Sequence, residues 1–140
     1  MGIVYRVDSK AEIVFTTWTG PITSTVLGDF YRSVLNDKAA LRFRRSVTNI
    51  QDADLLFTGE EFSHLVHTIV EPVLKGLGWI TTIVVKEGDK VQWGVSRQYQ
   101  AFAQRFSESV IFTDEASAIT YLQNKGGAPS ATPSTPPPAT

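Results

Sequence analysis

The sequence predicts an α/β fold, a mostly parallel sheet of about five strands with four helices packed on it and the first strand antiparallel. Three observations predict it. Short β-favouring runs alternate with segments whose apolar residues recur at helical spacing. The run from Trp79 to Val85 is apolar on both faces, as suits a strand in the middle of a covered sheet. The first two runs are separated only by the turn Asp8-Ser9-Lys10, which suits an antiparallel hairpin.

The elements follow in chain order. Ile3 to Val7 reads as the first strand and Glu12 to Trp18, rich in Val, Ile, Phe, Thr and Trp, as the second. Gly20-Pro21 is expected to stop it. Ile22, Val26, Leu27, Phe30, Tyr31, Val34 and Leu35 then mark a helix that ends at Asn36-Asp37. Phe43 to Ile50 is a third strand and Asp52-Ala53-Asp54 a loop. Thr58 with Glu61 has the capping-box pattern, opening a helix with Phe62, Leu65, Val66, Ile69, Val70 and Val73 inward. Pro72 should kink or shorten that helix, and Gly76 and Gly78 end it. After the Trp79–Val85 strand, Asp89 caps a helix with Gln92 at the capping-box position. Its inward stripe is Val91, Val95, Tyr99, Phe102 and Phe106. A hairpin return over Val91-Gln92-Trp93 is the alternative. Val110-Ile111-Phe112 is the last strand, and Asp114 to Gln123 the last helix, with Ala116, Ile119 and Leu122 inward.

Composition narrows the function. The chain has 140 residues, enough for one domain, and 13 basic against 14 acidic side chains leave a net charge of −1. That balance argues against a nucleic-acid binder, which needs a basic face. The absence of cysteine removes disulfides, thiolate nucleophiles and Cys-based metal sites. No apolar run reaches the roughly 18 residues of a membrane span, and Met1 to Lys10 has no signal pattern, so a cytoplasmic protein is expected. Residues 126–140 begin with Gly126-Gly127 and continue with only Ala, Pro, Ser and Thr. They are expected to form a disordered tail, with the folded domain at 1–125. Pro136-Pro137-Pro138 could serve as a polyproline ligand, but lacks a basic or aromatic anchor.

Four stretches carry a family resemblance: Tyr5-Arg6-Val7-Asp8, Gly20-Pro21-Ile22-Thr23, Gly94-Val95-Ser96-Arg97-Gln98-Tyr99, and Val110-Ile111-Phe112-Thr113-Asp114-Glu115-Ala116. With the element order they make the chain resemble the SpoIIAA-like, STAS/SEC14 domain-containing bacterial proteins over nearly all of residues 3–124. The resemblance implies a STAS-like fold and a small cytosolic regulator that binds a protein partner; other relatives bind lipids. Some relatives are switched by phosphorylation of a Ser after the third strand. Here the corresponding loop, Asn49-Ile50-Gln51-Asp52-Ala53-Asp54, has no Ser and lacks the Asp-Ser-Ser-Gly signature. The group commonly has an Asp where Asn49 aligns. The nearest hydroxyl, Thr58, already has a role as a cap.

Four residue groups are candidate sites. The rim at the carboxyl ends of the strands, where ligands of open α/β sheets sit, should gather Trp18, Thr19, Asn49, Gln51, Asp52, Lys86, Glu87 and Asp114. Asp52, Asp54, Glu60 and Glu61 would suit a basic partner or divalent cation there, unless they only cap helices. Glu60, His64, His67 and Glu71 share a helical stripe that could hold zinc or nickel, but it lies opposite the apolar face, in solvent. Trp93 and Arg97 lie one turn apart and are hot-spot residue types; Arg97 could stack on Trp93, or Trp93 could pack beneath the preceding loop. Arg42, Arg44 and Arg45, with Lys38 nearby, could contact phosphate or an anionic membrane surface, or protect a strand edge.

No Gly-x-Ser-x-Gly elbow, Gly-rich phosphate loop or His-Glu-x-x-His is present. The expected function is a non-enzymatic, STAS-like regulatory or protein-interaction module without a cofactor. Asn49, Asp52, Thr58, Trp93 and Arg97 are its binding residues, and a homodimer through an edge strand or the Trp93 face is plausible. The alternative is a SEC14-like carrier of a lipid or small apolar ligand, which requires a cavity near Trp18, Trp79 or Phe62. A metal-dependent enzyme using His64 and His67 is the third reading.

Overall fold

A computed structural model describes residues 2–125. The expected tail at 126–140 lies outside the described residues. Five strands form one sheet in the order β1-β2-β3-β4-β5: Gly2–Asp8, Ile13–Ile22, Arg45–Leu55, Trp79–Val84 and Ser107–Phe112. β1 and β2 are antiparallel, with Arg6 opposite Phe15, and every other pair is parallel. The helices are α1 (Ser24–Val34), α2 (Lys38–Leu41), α3 (Gly59–Leu65), α4 (Glu71–Leu74), α5 (Lys90–Ala103) and α6 (Glu115–Lys125). The short α2, capped by Asp37, was not expected from the sequence.

Sequential strand order decides the layering. Each right-handed crossover steps the same way across the sheet, so the crossover helices share one face. There α1, α3, α4 and α5 cover Trp18, Ile50, Trp79 and Ile83 in the main core. On the other face α6 alone packs Ala118 and Leu122 on Ile13, Phe15, Val47 and Val84. Ala116, expected inward, is exposed.

Two strands outrun their expected ends. β2 continues through Gly20-Pro21 to Ile22, and β3 through Asp52-Ala53-Asp54 to Leu55, with Pro21 opposite Asp54. Pro21 is tolerated because β1 ends opposite Thr19, so no neighbour on that side needs its missing N–H. Gly20 supplies the positive φ of +72°. Between Thr17 and Thr19 the register shifts: Thr17 faces Asn49 but Thr19 faces Asp52, so β3 carries an extra residue and bulges at the carboxyl-end rim.

Pro72 acts as expected, through a π-helical turn. Val66–Val70 is π-helical between α3 and α4, and the Glu71 N–H donates to the Val66 carbonyl. Widening the turn just before a residue with no N–H lets the rod continue where α-helical bonding would fail.

The basic run has a structural use that the sequence did not reveal. Arg45 is buried and donates to the carbonyls of Glu12 at 2.8 Å, Ala11 at 3.1 Å and Leu122 at 2.8 Å. It also lies 3.9 Å from the Glu12 carboxylate, so it ties the β1–β2 turn and α6 to β3 from inside the fold.

Candidate functional site

The helix-covered face of the sheet holds a partly open cavity. Its floor is a row of short hydroxyl side chains, Thr16 on β2, Ser46 and Thr48 on β3 and Thr81 on β4. Thr16 lies opposite Thr48, and Ser46 opposite Thr81, so they are strand-to-strand neighbours. Val14, Trp18, Ile50, Trp79 and Ile83 complete the floor; Phe30, Tyr31, Phe62, Val70, Leu74, Val95, Ser96 and Tyr99 come from the helices. Its volume is about 90 Å³. At roughly 30 Å³ per water, that is room for about three waters or a small organic group.

The lining is apolar with a defined polar set and no charged side chain. Trp79 Nε1 donates to Ser46 Oγ at 3.3 Å, and Thr81 Oγ1 lies 3.4 Å from Ser107 Oγ. Three other lining residues, Thr16, Trp18 and Ser96, are 4%, 5% and 1% exposed. Thr16 Oγ1, Trp18 Nε1 and Ser96 Oγ, and away from the cavity Ser109 Oγ, are buried with no hydrogen-bond partner among the described residues. Burial pushes the Tyr99 phenol up to about 12, and pushes Tyr31 well above the usual phenol value, with Tyr99 adding to it. Both are therefore neutral hydroxyls at physiological pH.

Trp18, assigned to the rim from sequence, belongs instead to this cavity, because β2 runs four residues further and carries the strand end past it. The stripe of α5 is also rotated from its expected position. Gln92, Ser96, Tyr99 and Ala103 face inward, while Val91 is 59% exposed. Two of these inward residues are polar, so an apolar periodicity could not find them. The signal was a polar pair at i, i+4 in phase with Tyr99.

Gln92 is the second buried polar group of α5, and it is fully satisfied. Its Oε1 accepts from the Lys86 N–H at 2.7 Å; its Nε2 donates to the Gln51 carbonyl at 3.1 Å and the Ala53 carbonyl at 3.3 Å. It therefore clamps the ends of β3 and β4 to α5. It does not close the capping box with Asp89, although Asp89 accepts from the Gln92 N–H at 3.0 Å.

At the rim, Asn49 Oδ1 accepts from the Gln51 N–H at 2.9 Å, and Asn49 Nδ2 donates to Glu115 Oε2 at 3.4 Å. Gln51 Nε2 donates to the Thr113 carbonyl at 3.0 Å and the Val85 carbonyl at 3.3 Å. Asp52 is exposed on the β3 extension, not in a loop. Thr58 completes its capping box with Glu61, at 3.0 Å and 2.9 Å. Trp93 is half-buried against the main core, and Arg97 is exposed. Neither contributes to a cation–π contact found among the described residues.

Along the histidine stripe, His64 and His67 are exposed. His67 Nδ1 and Arg105 Nη2 both lie 3.0 Å from Glu71 Oε1. These contacts hold the Glu71 carboxyl below its ordinary value, the His67 bond contributing most. No cluster of three or more His, Cys, Asp or Glu placed to hold a metal occurs among the described residues.

No family model and no curated protein matches this chain. Among solved structures it is similar to an uncharacterised protein of the DUF3478 family with a SpoIIAA-like fold, from Shewanella loihica PV-4. The TM-score is 0.58 at 14% identity, covering 86% of this chain and 94% of that one. The fold is thus SpoIIAA-like, as the sequence resemblance implied; at this identity the likeness carries the fold alone. No helix among the described residues is long and apolar enough to cross a membrane.

Proposed function

We propose that this chain is a non-enzymatic, STAS-like module whose sensory element is the cavity between sheet and helices, which binds a small, largely apolar ligand. One observation carries this reading. A cavity of about 90 Å³ lies between the sheet and the helices, walled by aromatic and branched side chains over a floor of short hydroxyls, with no charged group in its lining. The sequence reading required a cavity near Trp18, Trp79 or Phe62, and all three residues line this one.

Size favours a compact guest over a whole lipid. A dry cavity of about 150 Å³ accommodates benzene, and this one is about 90 Å³. An acyl chain would require the rod over Val70 and Leu74 to lift.

A protein partner at the carboxyl-end rim is a second reading, favoured by Leu56 at 54% exposure and Val91 at 59%. Val91 adjoins Gln92, and Leu56 follows the end of β3 that Gln92 holds; Asn49, Asp52, Thr58, Trp93 and Arg97 are the residues proposed to complete this surface. In this reading the cavity tunes the clamp, and the clamp presents the rim.

Native mass spectrometry of the chain purified gently from its own cells tests the first reading. An added mass of a small organic molecule, lost in a variant that fills the cavity by Ser96→Leu, is expected. A bare chain, with xenon giving no shift of Ile83 or Val95 methyl resonances, refutes it. A pull-down comparing wild type with Trp93→Ala and Arg97→Ala tests the second.

A further inference from the structure

We infer that the outer crest of α5 docks a second copy of this chain, the two α5 helices lying side by side and parallel about a twofold axis that runs along them, with Gly94 at the contact. This rests on the partner-binding reading above and names the partner.

Gly94 has no use inside the chain. It is an exposed residue within α5, its φ is not positive, and a Cβ there would meet nothing within 4 Å. Glycine weakens a helix interior more than any residue except proline. What it offers in return is close approach of another backbone. Packed helix axes stand about 8–10 Å apart, as set by the side chains between them, and two facing glycines bring them to the near end of that range.

The crest around Gly94 is apolar. Of the three large apolar side chains exposed among the described residues, Val91 and Leu56 are two. Val91 lies one turn before Gly94. Leu56 belongs to a segment fastened to α5 at both ends. The Ala53 carbonyl accepts from Gln92 Nε2 at 3.3 Å, and a Cβ at Gly59 would meet Gln98 Nε2 at 2.9 Å. Gln92 and Gln98 stand about 9 Å apart along the helix. The segment between Ala53 and Gly59, with Leu56 at its middle, therefore runs beside the first turns of α5.

Charge selects the partner and its direction. α3 flanks α5 on the side of Phe102, whose ring centroid lies 5.7 Å from that of Phe62, and this flank carries the exposed Asp54 and Glu60. Lys90 and Arg97, also exposed, lie about 120° to 140° round α5 from Phe102 and form the opposite flank. None of the four takes part in an ion pair found among the described residues. An acidic flank, an apolar crest and a basic flank complement their own copy under a half-turn about an axis along α5, a self-complementary contact. The heights match as well. Glu60 adjoins Gly59 at the level of Gln98, and Asp54 adjoins Ala53 at the level of Gln92. Arg97 thus faces the partner's Glu60, and Lys90 the partner's Asp54, twice over. Antiparallel helices would set like charge against like.

Sedimentation velocity of the full chain from about 1 to 500 µM tests this, because a contact of one helix crest is expected to hold a dimer with a dissociation constant on the order of micromolar. Added salt should weaken it. Gly94→Gln is expected to abolish the dimer. Gly94→Ala is expected to weaken it roughly tenfold while raising the melting temperature of the monomer by about 4 °C, since the helix gains from a side chain that the contact cannot hold. Arg97→Glu and Glu60→Lys should each weaken the dimer roughly tenfold, and mixing the two variants should restore a heterodimer of about wild-type strength, because both cross-pairs are then of opposite sign.

A monomer at every concentration overturns the inference and leaves the partner-binding reading to its own pull-down. A dimer that Gly94→Gln and Gly94→Ala leave intact overturns the contact at Gly94, and charge variants that mixing does not rescue overturn the parallel pairing. Should Gly94→Gln fail to fold, Val91→Glu takes its place and is expected to abolish the dimer; a dimer of wild-type strength in that variant overturns the crest as the contact.

Discussion

Replacing Gln92 separates a clamp from mere filling. The side chain is fully buried and makes three hydrogen bonds, to the Lys86 N–H and to the carbonyls of Gln51 and Ala53. Gln92→Met keeps the volume and leaves three partly buried backbone groups unpaired. At the low end of about 1–3 kcal/mol per orphan, less what a more apolar side chain recovers on burial, the net loss is about 2–3 kcal/mol. For a chain of this length that lowers the melting temperature by roughly 10 °C. Gln92→Glu adds a signed test. One carboxyl oxygen can still accept from Lys86, but the other faces two carbonyl oxygens. When protonated it donates to one of them; when ionised it repels both and stays desolvated. The introduced carboxyl therefore has a folded-state pKa above its unfolded value of about 4.3. Its stabilising contribution is fully present below that unfolded value and is lost as pH rises through the folded one. Urea unfolding of wild type and both variants between pH 4 and 8 reads this directly. The Met variant should show a pH-independent penalty, while the Glu variant should approach wild type near pH 4 and fall away by pH 8. A Met penalty under 0.5 kcal/mol, or a Glu penalty that ignores pH, refutes the clamp.

Three further outcomes follow from the same contacts. Arg45→Met should cost about 3 kcal/mol in urea unfolding and raise amide exchange in α6 and the β1–β2 turn first, since its charged donors hold three carbonyls there; a loss under 1 kcal/mol contradicts this. Thr58→Ala should cost about 1 kcal/mol, and Thr58→Ser much less, because the hydroxyl accepts from Glu61 in a reciprocal box. Burial raises the Tyr99 phenol to about 12; its contribution is whole below the ordinary phenol value near 10 and is lost as pH rises toward 12. Phenolate absorbance should thus show Tyr99 ionising only as the protein unfolds, and early ionisation in folded protein would contradict its burial.

The fold was largely legible because apolar periodicity encodes it. The succession of strands and helices along the chain, the antiparallel first pair and the α5 helix follow from residues such as Trp79 to Val85 and from the caps Thr58 and Asp89, whereas the order of the strands in the sheet came only from the structure. The misreadings cluster where polarity or punctuation misleads. Gly20-Pro21 reads as a stop, yet Pro21 lies where no neighbouring strand asks for its N–H. Arg45 reads as surface and is buried, because its guanidinium finds three carbonyls contributed by segments 33 and 77 residues away in the chain. Ser96 and Gln92 occupy inward positions that a search for apolar residues skips. The cavity is likewise invisible in one dimension, since its floor joins Thr16, Thr48 and Thr81 from three strands.

That floor is also the strongest reason to regard the cavity as built for an occupant. Thr16, Ser46, Thr48 and Thr81 stand where the opposite face of the same strands places Phe15, Val47 and Val84. β-sheet positions facing a helix layer favour branched apolar side chains. Filling these positions would close the space without disturbing either the strands or the helices above them. Keeping about 90 Å³ empty costs roughly 2 kcal/mol at the rate measured for core cavities. A guest of matching shape recovers the contacts that the short floor side chains leave unmade, which packing of the bare chain does not.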